Sequence, residues 1–289
     1  MPSLKDVKNK IAGVKKTKQI TRAMNMVASA KLRRAQDRIV RFRPYAEKFY
    51  DILGDLSARA DHDAHPLLEV REEIQNVGIV LITSDKGLCG SFNMNLIQQA
   101  LKLAEAKHNE GKSVTFYCVG KKGRDAVRKR GYTLATAHVD EMNVFDFSLA
   151  NSIGTEVIDA YLDGSLDEVH LVYGEFVTLI RQNPRQLQML PIVTEGEAEE
   201  TGAASEYIYE PSVEGLLAEI LPRFIKVQVY RGLLDTSASE HAARMTAMDN
   251  ATNNCDDMIS SLTLVYNKTR QAAITTELMD IVGGAEALQ

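Results

Sequence analysis

From Leu217 onward, apolar and small residues recur in alternating steps of three and four. The series runs Leu217, Ile220, Phe224, Val227, Arg231, Leu234, Ala238, His241, Met245 and Met248. It continues through Thr252, Cys255, Ile259, Leu262, Tyr266, Thr269, Ala273, Thr276 and Asp280. A sustained 3.5-residue period predicts a helix that supercoils around a partner. At about 1.5 Å per residue, Leu217 to Asp280 would span roughly 95 Å, far too long for an ordinary core helix. Pro222 is expected in the first turns, where a missing N–H costs little, and Gly283-Gly284 are expected to stop the helix. The seam is large and apolar early, then includes Ala, Thr, Cys and His. A plain dimeric coiled coil would stay rich in Leu and Ile.

The first fifty residues carry a second periodic pattern. Ser3 with Asp6 three residues on forms a capping box. Leu4, Val7, Ile11 and Val14 step by three and four, and the apolar face resumes at Ile20, Met24, Val27, Ala28, Leu32, Ala35, Ile39 and Phe42. From Ser3 to Ser57 this helix would be about 80 Å long, with Pro44 as a possible kink. A chain that begins and ends with long amphipathic helices is most economically read as an intramolecular antiparallel pair.

Between the two patterns the texture changes. Val77–Thr83 is a continuous apolar run, the sign of a strand buried on both faces. A helix from about Asn93 to Asn109 follows, then a strand over Val114–Val119, a basic helix from Lys122 to Arg130 and a strand over Thr133–His138. Phe147–Leu162 reads as a helix and Glu168–Phe176 as a strand. Gln186–Ile192 and Tyr207–Tyr209 read as edge strands, with an acidic loop over Thr194–Ser205 between them. Alternating strand and helix implies a parallel-type sheet. The expected fold is α/β plus long helices: an antiparallel two-helix coiled coil from the terminal segments, with a central Rossmann-like α/β domain. The expected divisions are 1–57, 74–211 and 212–289.

Charge sharpens the picture. Residues 1–50 carry fourteen Lys and Arg against three acids, a net charge of +11 in a chain of net charge −5. A basic arm on an acidic body suggests an anionic partner. Catalytic chemistry is not visible. Ser84–Gly90 follows a buried strand, but neither it nor Gly120-Lys-Lys-Gly123 has phosphate-loop spacing. The six histidines are scattered, and the three cysteines (Cys89, Cys118, Cys255) form neither a zinc pattern nor a disulfide frame. No metal or cofactor is expected, and no apolar run reaches membrane-span length. On residues alone, an acidic protein partner for the basic arm is the main reading, and an α/β enzyme with helical arms and a basic coiled-coil nucleic-acid-binding protein remain open.

Ile274-Thr-Thr-Glu277-Leu-Met-Asp280-Ile-Val-Gly-Gly284-Ala285 resembles the C-terminal signature of the gamma subunits of F-type ATP synthases. Thr17-Lys-Gln-Ile20-Thr21-Arg-Ala23-Met24-Asn-Met26-Val27-Ala28 is similar to that family's N-terminal hallmark. Ser84-Asp-Lys-Gly-Leu-Cys-Gly90 and Tyr207-Ile-Tyr-Glu-Pro211 resemble its central motifs. The likeness covers essentially the whole chain. Its departures are the reversed Lys18-Gln19 order and Lys86 where arginine is common. The resemblance implies a non-catalytic rotor shaft without cofactor. Its partners would be the alpha and beta subunits, the epsilon subunit and the ring of c subunits, with no nucleic acid. It would lie peripherally on the cytoplasmic face of a bacterial inner membrane. The resemblance further implies that Met24, Cys89, Arg244, Gln271, Thr275, Glu277 and Asp280 contact the alpha/beta hexamer. Tyr207, Tyr209 and Glu210 would contact the c ring and epsilon.

Overall fold

The computed structural model describes residues 3–57, 65–71, 73–192 and 213–286. The expected edge strand Tyr207–Tyr209 and the acidic loop over Thr194–Ser205 lie outside the described residues. The terminal patterns form two long helices, α1 (Leu4–Ser57) and the 74-residue α5 (Val213–Glu286). The capping box closes as its spacing demands: the Ser3 hydroxyl accepts from the Asp6 N–H at 3.2 Å, and the Ser3 N–H donates to the Asp6 carboxylate at 3.3 Å. Pro44 does not interrupt α1. One expectation fails on α5: the helix runs through Gly283-Gly284 to Glu286. Pro222 falls in the third turn. An interior proline forfeits one backbone bond. Burial of Leu217, Leu221 and Ile225 on the same segment offsets that loss.

Between the long helices come β1 (Asn76–Ile82), α2 (Phe92–Asn109), β2 (Ser113–Val119), α3 (Lys121–Arg130), β3 (Thr133–His138), α4 (Phe147–Leu162), β4 (Glu168–Phe176) and β5 (Gln182–Leu190). By contacts the chain divides into two compact units. One is Ala30–Ala243, and the other joins Met1–Ser29 with Arg244–Gln289.

In the larger unit the strands form one sheet in the order β3-β2-β1-β4-β5. The first four strands are parallel, and β5 pairs antiparallel with β4 at the edge. Strands buried on both faces need helices on both faces. On one face, Val77, Ile79, Leu81, Phe116, Cys118 and Val172 pack on α2 and on Val127 of α3. On the other, Val80, Ile82, Val119 and Leu171 pack on α4 and on Leu221, Ile225, Val229 and Leu233 of α5. Gly232 is the point of closest approach: a Cβ there would lie 3.2 Å from both the Ile82 and Leu171 side chains. Residues 30–57 of α1 close this core. The Arg38 guanidinium donates to the Phe145 carbonyl at 2.7 Å and covers the Phe145 ring, and Phe42 packs edge-on against Tyr230. His241, placed on the helix seam by the sequence pattern, is buried there.

In the smaller unit the helical segments run antiparallel. Lys18 pairs with Asp256, the Thr21 and Thr252 hydroxyls meet at 2.8 Å, and the Asn25 amide donates to the Met245 carbonyl at 2.9 Å. The low-exposure positions of α5 from Met248 to Ala273 are those of the predicted 3.5-residue series, joined by Ala251. On α1 the seam differs from the apolar reading. It runs Leu4, Val7, Ile11, Val14, Lys18, Thr21, Asn25 and Ala28 without a break, and Ile20 and Val27 are about 60 % exposed. The helical period outranks hydrophobicity here, and polar residues take three consecutive seam positions.

Candidate partner-contact surfaces

On α1, Met24 lies half-buried beside the seam, while Ile20, Met26 and Val27 point outward. On α5, Arg244 is half-buried, and every residue from Ile274 to Gly283 is exposed. Gln271, Thr275, Glu277 and Asp280 therefore all stand on an uncovered helix. The structure joins two of them: the Thr275 hydroxyl donates back to the Gln271 carbonyl at 2.9 Å, as Thr276 does to Ala272. Around them Ile274, Leu278, Met279, Ile281 and Val282 are exposed. A run of exposed aliphatic side chains on one helix end is the mark of a surface covered by another polypeptide.

In the larger unit a buried polar network ties down the loop after β1. The Asp85 carboxylate, itself buried, accepts from the backbone N–H groups of Lys121 at 3.0 Å, Asp140 at 2.9 Å and Met142 at 3.2 Å. Three loops are thus tied to one side chain. The Asp85 carboxylate fills the place at the start of α3 where a helix N-terminus would receive an anion. Gly120 has φ 90°, and a Cβ there would lie 2.2 Å from the Thr83 carbonyl oxygen, so the crossing admits only glycine.

Cys89 lies on the inside of its loop. It is 2 % exposed, with the Asn93 amide 3.1 Å from its sulfur, so its thiol does not face outward. The β-branch-free turn around it leaves Lys86 and Leu88 as the outward members, Leu88 at a left-handed φ of 62°. Cys118 is also buried, and burial pushes its thiol up to about 12. Tyr207, Tyr209 and Glu210 lie outside the described residues. Sequence reasoning missed two aliphatic side chains at the carboxyl end of the sheet, Val144 (89 % exposed) and Ile180 (87 % exposed). Each sits in an irregular loop beside other apolar residues, Phe145 and Leu179, and gives no periodic signal. Among the described residues, no helix is long and apolar enough to cross a membrane.

Aliphatic side chains left uncovered on the helical end of one unit and on the loop tips of the other mark a subunit built for assembly. The comparisons with known proteins specify which. The family model described as ATP synthase matches residues 3–288. The ATP synthase gamma chain of Nitratidesulfovibrio vulgaris strain Hildenborough is 72 % identical over 290 residues, all of both chains. That of Lawsonia intracellularis is 56 % identical, again over all of both chains. Among solved structures, the central stalk and c ring of the Tetrahymena thermophila mitochondrial ATP synthase includes a chain with TM-score 0.60 and 26 % identity. It covers 80 % of this chain and 99 % of that one. A chain of the Euglena gracilis mitochondrial enzyme shares the fold with TM-score 0.68 over 99 % of this chain and 94 % of that one, at 22 % identity. The chain belongs to the ATP synthase gamma chain family, whose members are non-catalytic subunits of that enzyme.

Proposed function

We propose that this chain is the central rotor shaft of a proton-translocating F-type ATP synthase. It transmits torque between a membrane ring of c subunits and the alpha/beta hexamer in which ATP is made or hydrolysed. The observation that carries the reading is the end of α5, ten consecutive exposed residues rich in aliphatic side chains on a helix whose seam partner has ended. A shaft tip turning in a collar needs such a surface. It also needs contacts that can be broken at each step, and exposed charged groups interact weakly enough for that.

In this reading Met24, Arg244, Gln271, Thr275, Glu277 and Asp280 meet the hexamer, with Arg244 holding a loop of beta through charge-assisted bonds. The loop Ser84–Gly90 meets beta through Lys86 and Leu88, with Cys89 bracing it from inside. Tyr207, Tyr209 and Glu210 belong to the foot, against the c ring and epsilon. The functional divisions are 1–57, 74–211 and 212–289, and the site of action is the cytoplasmic face of the bacterial inner membrane. Reconstitution with alpha, beta and epsilon subunits and membrane sectors tests it. Omitting this chain should abolish proton pumping coupled to ATP hydrolysis, and adding it should restore pumping. Coupled pumping without the chain would refute the reading.

A further inference from the structure

A cavity of about 240 Å³ lies within the larger unit, where α1, the end of β4 and α5 meet. Its floor is apolar, built by Ile39, Phe42, Ala46 and Leu234. Its wall carries Asp235, which is mostly buried. Among the described residues, the Asp235 carboxylate has neither a hydrogen bond nor an ion pair. The charged groups facing it are Arg43 and Glu47 from α1, Arg231 from its own helix, and Glu175 from β4. Arg185 of β5 occupies Glu175 at 3.3 Å, and the Tyr173 phenol stands behind them. Burial pushes the Asp235 carboxyl up to about 6, against the opposing pull of Arg231.

Largely buried carboxylates are ordinarily bonded directly to a partner, and here the nearby guanidinium groups of Arg43 and Arg231 face Asp235 without bonding it. An apolar floor below a lone carboxylate has a definite chemical complement, a cationic head on a short aliphatic stem. The cavity is smaller than the roughly 300–1,000 Å³ of drug-sized pockets and suits a ligand of side-chain size.

We propose that this cavity is a binding site for an aliphatic ammonium or guanidinium group, with Asp235 as its counter-ion and Ile39, Phe42 and Leu234 as the bed for its methylenes. The cation comes either from a free aliphatic amine or from a lysine or arginine side chain of a neighbouring subunit. Both present the same chemistry to Asp235.

The full-length chain is titrated with n-butylammonium and with 1,4-diaminobutane at constant ionic strength, following the melting temperature, at pH 7.5 and pH 5.0. The wild type should show a saturable rise at pH 7.5. At pH 5.0 about nine-tenths of Asp235 is protonated, so the apparent affinity should be about tenfold weaker. Asp235→Asn and Asp235→Ala should abolish the response. Both variants remove a carboxylate that burial penalises more than its neighbouring cations favour it, so they should fold at least as well as the wild type. An equal response in the wild type and both variants, or none beyond that of sodium chloride, would overturn the proposal. Repeating the titration on the assembled synthase separates the sources. Loss of the response there means that a partner's basic side chain fills the site, and persistence means that a free amine does.

Discussion

The polar stretch of the helical seam makes a prediction that apolar packing alone would not. Thr21 and Thr252 face each other across the smaller unit with their hydroxyls 2.8 Å apart. Each hydroxyl also reaches a carbonyl on its own helix, Lys18 at 3.0 Å and Met248 at 2.8 Å. Thr21→Val keeps the shape and removes one hydroxyl. The surviving Thr252 hydroxyl keeps its Met248 bond, so it is only partly orphaned. The expected loss is about 1 kcal/mol, and Thr252→Val should cost a similar amount. The double variant puts two methyl groups where two hydroxyls met. Replacing both partners by apolar groups of the same shape is nearly neutral or stabilising. The double variant should therefore be more stable than either single one, with a coupling energy of about 1–2 kcal/mol. Guanidinium unfolding followed by circular dichroism at 222 nm, on all four members of the cycle, measures it. Additive losses of about 2 kcal/mol in the double variant would show that the hydroxyls act independently, and the interhelical pairing would be refuted.

Other perturbations read the larger unit and the shaft tip. Burial pushes the Glu168 carboxyl up, but its bonds to His170 at 2.8 Å and Lys107 at 2.7 Å outweigh that and hold it at about 2. Its stabilising contribution is thus present above the ordinary glutamate range and lost as pH falls from about 4.5 through 2. Glu168→Gln should cost about 3 kcal/mol at pH 7 and flatten the acid limb of a melting-temperature profile; an unchanged limb would exclude this pair as its source. Gly232→Val should cost about 3 kcal/mol by forcing the helix off Ile82 and Leu171, and an unaltered unfolding midpoint would contradict the close packing. Glu277 and Asp280 lie nine and six residues before the end of α5, outside the last turn where the helix dipole acts. Glu277→Gln with Asp280→Asn should leave the melting temperature of the free chain within about 1 °C and lower the ATPase rate of the reconstituted complex. Unchanged turnover would mean that the two acids are merely solvated.

What could be read from the sequence followed how local each signal is. Phe147–Leu162 and Glu168–Phe176 have the bounds their patterns predict, because each is a periodic segment ended by turn residues. The edge strand β5 begins at Gln182, four residues before its apolar pattern suggests. Pro184 hides the early part, yet at the sheet edge a missing N–H costs the ladder little. The Asp85 network left no trace in the sequence. Its three donors lie 36 to 57 residues from the carboxylate, and only the tertiary fold brings them together. The inward turn of Cys89 is equally illegible, since a loop motif does not say which member turns inward.

The seam of α1 carries a more general lesson. By hydrophobicity Ile20 and Val27 belong to the apolar face, which passes over Lys18 and Asn25. A helix cannot shift its register for two residues, so the unbroken period from Leu4 to Ala28 fixes the seam, and hydrophobicity that departs from it must face elsewhere. The same logic applies to α5. Its period continues to Thr276 and Asp280, but burial stops at Ala273. Up to there the pattern has a partner within the chain. Beyond it the helix keeps its aliphatic residues, and none of the described residues covers them. An isolated helical end with that much exposed apolar surface would be an aggregation hazard unless something else enclosed it. The proposed collar of the hexamer removes that hazard, and so it accounts for the residues at which the chain's own packing ends.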